Sequence, residues 1–312
     1  MGLQLKFNLV LLIVFGSGLA GSGYVSYHLL QKNAYDDVLN SAGVIAEVAL
    51  ATRFYTVNNV RPNLAVKLEA ASTVGGKPPL PPESAVPAVP VFLPESVPAF
   101  AATQIMERLR KKYPDYVYKE AALNPTNLRN KAVEWEADVI NEFRNNPDKH
   151  TEITGIRDTP TGPSLYLARP FQIKDPACLR CHSTPDLAPP GMLKLYGSNN
   201  GFGWNLNEVI GIQLVSVPMT LPIENANRAF YTFMASLGGI FLAVFIFINL
   251  ILSIFIVRPI TNMAKAADEL STGNMEVAEF PEKGSNEIVV LSKSFNRMRR
   301  SLEKAISFID KN

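Results

Sequence analysis

A run of apolar residues over positions 229–257 constrains this chain more than any other feature of its sequence. Its centre reads Phe-Leu-Ala-Val-Phe-Ile-Phe-Ile-Asn-Leu-Ile-Leu over residues 241–252. A helix needs about 20 consecutive, mostly apolar residues to cross the hydrocarbon core of a bilayer, and this run exceeds that length. Residues 229–257 are therefore predicted to form a transmembrane helix.

A second apolar stretch covers residues 7–30, near the amino terminus. It contains no Asp, Glu, Lys or Arg, and its length also suits a membrane span. A cleaved signal peptide is the alternative, because Gly18-Leu19-Ala20 has the small-residue spacing of a cleavage site. We favour the uncleaved span. Under either interpretation, residues 31–228 form a domain outside the cytoplasm.

The distribution of basic residues favours a cytoplasmic carboxyl-terminal segment. Arg258 ends the second span, and Lys265 and three arginines within 297–300 follow it. Cytoplasmic segments next to a membrane carry an excess of Lys and Arg. We therefore predict a multi-pass protein of the inner (plasma) membrane. The net charge of +2, without a dense block of Lys and Arg, predicts no nucleic-acid partner.

The two cysteines of the chain form the sequence Cys178-Leu179-Arg180-Cys181-His182. Two cysteines three positions apart, followed at once by a histidine, are typical of c-type haem attachment. Thiols at this spacing can bond the two vinyl groups of one haem, and the adjacent imidazole can reach the iron as its proximal ligand. The motif therefore indicates a haem site at Cys178, Cys181 and His182.

Two other interpretations of this motif stay open. Cys178 and Cys181 could form a redox-active dithiol or a disulfide, although the surrounding sequence does not resemble a thioredoxin βαβ unit. Structural zinc could also bind Cys178, Cys181 and His182. A tetrahedral zinc site needs a fourth ligand, and the sequence contains no second C-x-x-C or H-x₃₋₅-H pair to supply it.

The segment after the first span contains two further candidate cofactor-binding residues. Residues 33–70 are predicted to form a long helix, with a bend or break near Pro62. On this helix, Arg53 could pair with a haem propionate and Tyr55 could line the pocket. They could equally be ordinary surface or packing residues. The density of proline over residues 75–98 then excludes helix and predicts an extended loop.

The rest of the outer domain alternates short helices and strands. Predicted helices cover residues 101–113 and 131–145, and predicted strands cover 116–119, 164–170 and 209–217. Gly155 to Gly162 is predicted to be a hairpin turn, and the glycine-rich residues 197–205 are predicted to be a loose segment. Helices followed by short strands that can pair antiparallel indicate an α+β domain of PAS-like type.

The segment after the second span resembles a HAMP domain. Pro259 lies just past the membrane, a connector covers residues 273–284, and Asn286-Glu287 opens a second helix where the family more often has Asp-Glu. Apolar residues follow at heptad-like spacing: Ile288, Leu291, Phe295, Met298, Leu302 and Ile306. A generic helical hairpin is the alternative for residues 258–310. HAMP helices form a parallel four-helix bundle, so the resemblance implies a homodimer through this domain and the transmembrane helices.

Several short sequence segments of the outer domain resemble those of a known family. They are Ala121–Asn127, Trp135-Glu136, Ala168-Arg169-Pro170, the Cys178–His182 motif and Gly211–Met219. Together they resemble the extracytoplasmic, c-type haem-binding, PAS-like sensor domains of cyanobacteria and proteobacteria, which a HAMP domain often follows. The resemblance implies one covalent haem c on Cys178 and Cys181, with His182 as axial ligand. It also adds Arg169 to the candidate cofactor-binding residues.

This chain departs from that family at the second axial ligand of the iron. At least one member supplies a cysteine from the first soluble helix, and this chain has none there. Met106, Met192, His150, Tyr55, water or no ligand at all are the alternatives. Met106 could instead be a core residue, and His150 a solvated loop residue.

These predictions favour a haem-based transmembrane sensor. Its iron would respond to redox state or to a small gas, and the helices would pass the change to the HAMP bundle. A membrane-anchored electron-transfer cytochrome is the main alternative, and a haem-free scaffold or receptor is a third. No nucleophile–base pairing is visible, so we do not predict an enzyme. A separate histidine kinase or chemoreceptor is a candidate output partner.

Overall fold

The structure is a computed structural model that describes residues 2–64, 92–274 and 276–309. Its α-helices are α1 (Leu3–Tyr55), α2 (Pro98–Arg110), α3 (Glu134–Asn145), α4 (Leu179–His182), α5 (Pro190–Tyr196), α6 (Thr220–Leu252), α7 (Arg258–Ser271) and α8 (Glu287–Ile309). Its strands are β1 (Val117–Ala122), β2 (Ile153–Thr159), β3 (Gly162–Gln172) and β4 (Val209–Pro218). The chain divides into two compact units, Leu30–Asn227 and a second formed by Met1–Leu29 with Arg228–Asn312.

The four strands of the unit Leu30–Asn227 form one antiparallel sheet in the order β1-β4-β3-β2. β4 pairs with a strand on each side, and nearly all of its residues are buried because both faces of the sheet are covered. Helices with an antiparallel sheet agree with the predicted α+β class. The PAS-like assignment stays a prediction.

Helices cover both faces of this sheet. On one face, α1 presents the small residues Ala42, Ala46 and Ala49, one turn apart, so that it can approach the strands closely. Met106 of α2 joins this layer. On the other face, α3 buries Ile140 and Phe143 against the sheet. The hydrophobic core therefore consists of two layers, one on either side of the sheet.

The prediction of a hairpin turn over residues 155–162 is wrong, because most of this stretch is strand β2. The turn itself lies between Thr159 and Gly162. Gly155 belongs to the strand and lies opposite Tyr166 of β3. A Cβ atom at Gly155 would lie 2.7 Å from the Tyr166 ring, so the glycine makes room for a cross-strand aromatic residue.

The helix that begins with α1 continues past Pro62 without the break that the sequence offers as one of two alternatives. A π-helical segment, Thr56–Val60, precedes the proline, and the helix reaches Leu64. Proline lacks an N–H and clashes with the preceding turn of a regular helix, and a π-type turn adjusts the local register instead. Residues 65–70 of the predicted helix and residues 75–91 of the predicted proline-rich loop lie outside the described residues. The rest of that loop forms a 3₁₀ turn, Pro94–Ser96, and the start of α2 at Pro98.

Among the described residues, two helices are long and apolar enough to cross a membrane, Gln4–Leu64 and Thr220–Ser271. Within the second compact unit, Phe15 stacks on Phe241 with ring centroids 5.0 Å apart. A second π-helical segment, Ser253–Val257, joins α6 to α7 and again precedes a proline, Pro259. These helices and the HAMP-like segment indicate a membrane protein.

A buried asparagine of α8 holds the connector between α7 and α8. Asn296, fully buried, accepts a hydrogen bond from the Phe280 N–H at 3.0 Å and donates to the Phe280 carbonyl at 2.9 Å. Its amide also donates to the Glu282 carboxylate at 2.9 Å. Ala266, Val277 and Phe295 form the small apolar core beside it.

Candidate cofactor site

The unit Leu30–Asn227 contains a cavity of about 640 Å³. Its lining is mostly apolar and comes from α1, α2, the ends of β1 and β3, the Cys178–His182 motif and α5. Pockets for small molecules and cofactors have volumes of about 300–1,000 Å³ and mostly apolar walls. The cavity therefore has the size and character of a cofactor site.

Cys178, Cys181 and His182 line this one cavity. A 3₁₀ turn, Pro176–Cys178, leads directly into α4 and is capped by Asp175, whose carboxylate accepts a hydrogen bond from the Ala177 N–H at 2.8 Å. Both thiols are free and partly buried. Burial raises the pKa of Cys178 and of Cys181, and the negative charge of Asp175 adds to the effect at Cys178.

The imidazole of His182 is oriented by a backbone carbonyl. Its Nδ1 lies 2.8 Å from the Gly201 oxygen. Because a carbonyl oxygen only accepts, Nδ1 carries the proton, and in the neutral ring Nε2 keeps its lone pair free. Burial lowers the pKa of His182, an effect that the hydrogen bond to Gly201 opposes. The ring is thus prepared to bind a metal through Nε2.

A second loop fixes the position of that carbonyl. The Gly201 N–H donates to the Asn124 side chain at 3.0 Å, and the Asn124 amide donates to the Phe202 carbonyl at 3.0 Å. Gly201 has a φ of +82°, and a Cβ atom there would lie 2.2 Å from the Thr126 hydroxyl oxygen. Only glycine fits both the backbone conformation and this close approach.

Sequence reasoning missed Asn124, Gly201 and Trp204 as parts of the site. The indole of Trp204 stacks on the His182 ring, with centroids 3.9 Å apart and planes 13° apart. The available signal was a tryptophan that follows two glycines in the segment predicted to be loose. Backbone freedom at those glycines allows the loop to turn back onto the motif.

The arginine predicted to meet a propionate, Arg53, lines the cavity. Its guanidinium pairs with Glu120, with N–O distances of 2.6 and 2.7 Å, and lies 4.5 Å from the centroid of the Phe171 ring. Arg61 and Arg129 also line the cavity. Three arginines at one mostly apolar cavity could receive the carboxylates of a bound cofactor.

A buried hydrogen-bond network extends from Glu120 into the sheet. The Tyr118 hydroxyl donates to Glu120 at 2.8 Å, and the Gln213 amide donates to that hydroxyl at 3.3 Å. Burial raises the pKa of Tyr118 far above its ordinary value, and the charge of Glu120 raises it further. Tyr118 is therefore a neutral hydrogen-bond donor to the Arg53–Glu120 pair.

The other predicted site residues differ in position. Met192 of α5 lines the cavity and is 2% exposed. Met106 is buried between α1 and the sheet, away from the cavity lining. Tyr55 is 60% exposed, because it falls on the outer face of α1. The structure therefore keeps Met192 near the motif and does not bring Met106 or Tyr55 there.

Arg169 and His150 lie outside the cavity lining, and each has acidic neighbours. Arg169 pairs with Glu47 at 2.6 Å and with Glu152 at 3.3 Å. His150 lies 3.6 Å from Glu142 on the outside of α3. Neither residue joins the cavity lining in the described part of the chain.

The chemistry of the cavity fits a haem. It combines two thiols, an imidazole with a free Nε2, apolar walls and arginines for carboxylates. Among the described residues, no group of three or more His, Cys, Asp and Glu side chains could hold a metal ion. The structure therefore supplies no set of ligands for the zinc alternative.

Comparison with known proteins gives two family matches. The model of the Tll0287-like family matches residues 31–218, and that of the HAMP domain matches residues 251–304. A crystal structure of the cyanobacterial heme-protein Tll0287 is similar at 15% identity and a TM-score of 0.36, over 43% of this chain and 79% of that one. That similarity is too low to establish a shared fold. No curated protein matches the chain.

Proposed function

The chain belongs to the Tll0287-like family, and on that premise we propose that it is a membrane-bound haem sensor that transmits its signal to a HAMP domain. The two family matches confirm the resemblance found in the sequence. The observation that carries the proposal is that Cys178, Cys181 and His182 line one cavity of about 640 Å³, with Nδ1 of His182 held by the Gly201 carbonyl. The solved relative is itself a heme-protein.

In this proposal, five residues of the cavity have a defined role. Cys178 and Cys181 would hold one haem c through thioether bonds, and His182 would bind its iron through Nε2. Arg53 and Arg61 receive the propionates. When bound, the haem supplies an iron centre that changes oxidation state or takes up a small gas. The apolar walls exclude water from the iron.

Met192 is the candidate for a second iron ligand. Apart from the motif itself, it is the one His, Cys or Met side chain among the described cavity-lining residues. A thioether is an established axial ligand in c-type cytochromes, where it raises the reduction potential. A bound haem whose iron also took the Met192 thioether would favour redox state as the stimulus. A haem held by His182 alone would favour a gas.

The signal would leave the cavity through α1. Leu50, Arg53 and Val57 line the cavity, and the same helix continues into the apolar residues near the amino terminus. A HAMP bundle with two packings converts a small bias into a defined output. The stimulus must favour one packing through its own binding or redox energy.

The proposal includes an arrangement in the cell. The protein crosses the inner membrane twice as a homodimer, with residues 31–228 outside and residues 258–310 in the cytoplasm. Output passes to a separate histidine kinase or chemoreceptor. A HAMP domain beside a haem-protein family domain fits a sensor that is not an enzyme.

Haem staining after denaturing electrophoresis tests the cofactor. The protein, expressed with cytochrome maturation, should stain, and Cys178→Ala should abolish or strongly reduce the stain while Met106→Leu leaves it unchanged. An unstained, colourless wild-type protein would reject the proposal.

Cysteine crosslinking then tests signalling. Cysteines placed at Ile288 or Leu291 of α8 should crosslink at different rates in the reduced and oxidised protein. Rates that never change would favour the electron-transfer cytochrome. Absorption spectra with carbon monoxide separate the stimuli, because binding to the reduced protein indicates a gas-accessible iron.

A further inference from the structure

We infer that Trp204 is a positioning residue for His182, whose indole face fixes the plane of the imidazole that binds the iron. The inference deepens the proposed haem site and depends on it. It assigns a role to the glycine-rich segment 197–205, which carries no ligand or attachment residue.

Two perpendicular constraints define the orientation of the His182 ring. The hydrogen bond from Nδ1 to the Gly201 carbonyl, at 2.8 Å, fixes one direction within the ring plane. The Trp204 indole, 3.9 Å away and only 13° from parallel, prevents rotation out of that plane. A histidine side chain has two rotatable bonds, so these two contacts together determine its conformation.

The backbone around Trp204 is attached to the motif itself. The Gly203 N–H donates to the Ser183 carbonyl at 2.9 Å, and the Trp204 N–H donates to the His182 carbonyl at 3.3 Å. The main chain of Trp204 is therefore fixed to the main chain of the motif. The indole N–H is buried without a hydrogen-bond partner among the described residues, so the stacking on His182 is the contact that the indole makes with the motif.

The other tryptophan of the chain has no such relationship. Trp135 lies against Tyr166, with planes 56° apart, and the Arg157 guanidinium covers it at 4.2 Å. It is not part of the cavity lining given by the described residues, whereas Trp204 is. Trp135 is thus a matched control for the loss of one indole.

The test compares three variants of the full-length holoprotein in detergent: Trp204→Leu, Trp204→Phe and Trp135→Leu. Leucine keeps apolar volume without a flat face, and phenylalanine keeps the flat face. Electron paramagnetic resonance of the ferric haem reports the imidazole orientation, because the ring plane sets the rhombic splitting of the iron. Redox titration gives the midpoint potential, and thermal unfolding gives stability.

The wild-type protein should show a single ferric species. With Trp204→Leu, two or more species should replace it, and the midpoint potential should shift. Trp204→Phe should restore a single species close to wild type, and Trp135→Leu should leave spectrum and potential unchanged. A wild-type spectrum and potential in Trp204→Leu would overturn the inference. The inference would also be overturned if the spectrum and the potential changed equally in the leucine and phenylalanine variants, in proportion to their loss of thermal stability. Such a result would indicate that Trp204 contributes packing alone.

The failure of this inference is distinguishable from failure of the proposed function. If the wild-type protein carries no covalent haem, the stained gel shows it and both are rejected. If haem is attached and Trp204→Leu is silent, only the role of Trp204 is rejected.

Discussion

Both carboxylate oxygens of Glu120 accept hydrogen bonds from Nη1 of Arg53, at 2.6 and 2.7 Å. Arg53 belongs to α1 and Glu120 to β1, so this ion pair joins the long helix to the sheet at the cavity wall. The two side chains are only 16% and 8% exposed. At such burial, each charge depends on the other for compensation.

Arg53→Ala should destabilise the outer domain strongly, because it leaves the Glu120 carboxylate buried without a counter-charge. Breaking a buried pair in this way costs about 3–5 kcal/mol. The matched control is Arg129→Ala, whose pair with Glu107 is 37% and 47% exposed. Exposed pairs contribute about 0–1 kcal/mol. Urea unfolding followed by circular dichroism measures both, and equal losses would contradict the buried role of Arg53.

Alkaline pH should destabilise the protein through Tyr118. Its pKa in the folded state is raised above the ordinary 10.0, so above pH 10 the unfolded chain loses this proton while the folded protein keeps it. Stability should therefore fall as pH rises, by about 1.4 kcal/mol per pH unit for this one group. Tyr118→Phe removes that proton. The free energy of unfolding is measured as a function of pH for both proteins. If it falls equally in wild type and variant above pH 10, Tyr118 ionises normally in the folded protein.

Gly201→Ala should disrupt the support of His182. The new Cβ atom would lie 2.7 Å from the Thr126 Cα, a backbone atom that cannot move aside as a side chain can. Gly203→Ala is the control, since Gly203 also has a positive φ, +76°, but a Cβ there would have no neighbour within 4 Å. We expect Gly203→Ala to cost about 1–2 kcal/mol and Gly201→Ala to cost more and to reduce haem incorporation. Thermal unfolding and haem content measure the two effects.

Asn296→Ala should loosen the connector of the HAMP domain. It leaves the partly buried N–H and carbonyl of Phe280 without their partner; a fully buried unsatisfied group costs about 1–3 kcal/mol, so each of these should cost less. Limited trypsin digestion at Lys283 should become faster. Asn274→Ala, which removes an exposed hydrogen bond to the Glu276 N–H, should have little effect. Unchanged digestion of the Asn296 variant would show that other contacts hold the connector.

Much of the fold follows from apolar pattern alone. The mostly apolar sequence of β4, the period of α3 and the two long apolar helices are all visible in the sequence, because burial selects the same kind of side chain over many residues. Strand β2 is not visible, because it is an edge strand with three exposed residues in a row. The alternation of buried and exposed residues is therefore lost in β2, and from the sequence Gly155 is interpreted as part of a turn.

The candidate site also contains residues that the sequence identifies and residues that only the structure identifies. Cys178, Cys181 and His182 are adjacent in sequence, so their chemistry can be recognised without a structure. The side chain of Asn124 and the backbone of Gly201 act through hydrogen bonds that only the folded chain brings about. Arg169 is the opposite case. Its neighbours in sequence make it a candidate cofactor-binding residue, whereas in the fold its side chain pairs with Glu47, which is distant in sequence.

The π-helical segment Ser253–Val257 sets the angular phase of everything that follows it. A π-type turn takes up one residue more than an α-type turn, and one residue corresponds to about 100° around a helix. The faces of α7 are therefore offset from those of α6 relative to an uninterrupted α-helix. Deleting one residue of the segment should rotate α7 by about 100° relative to α6.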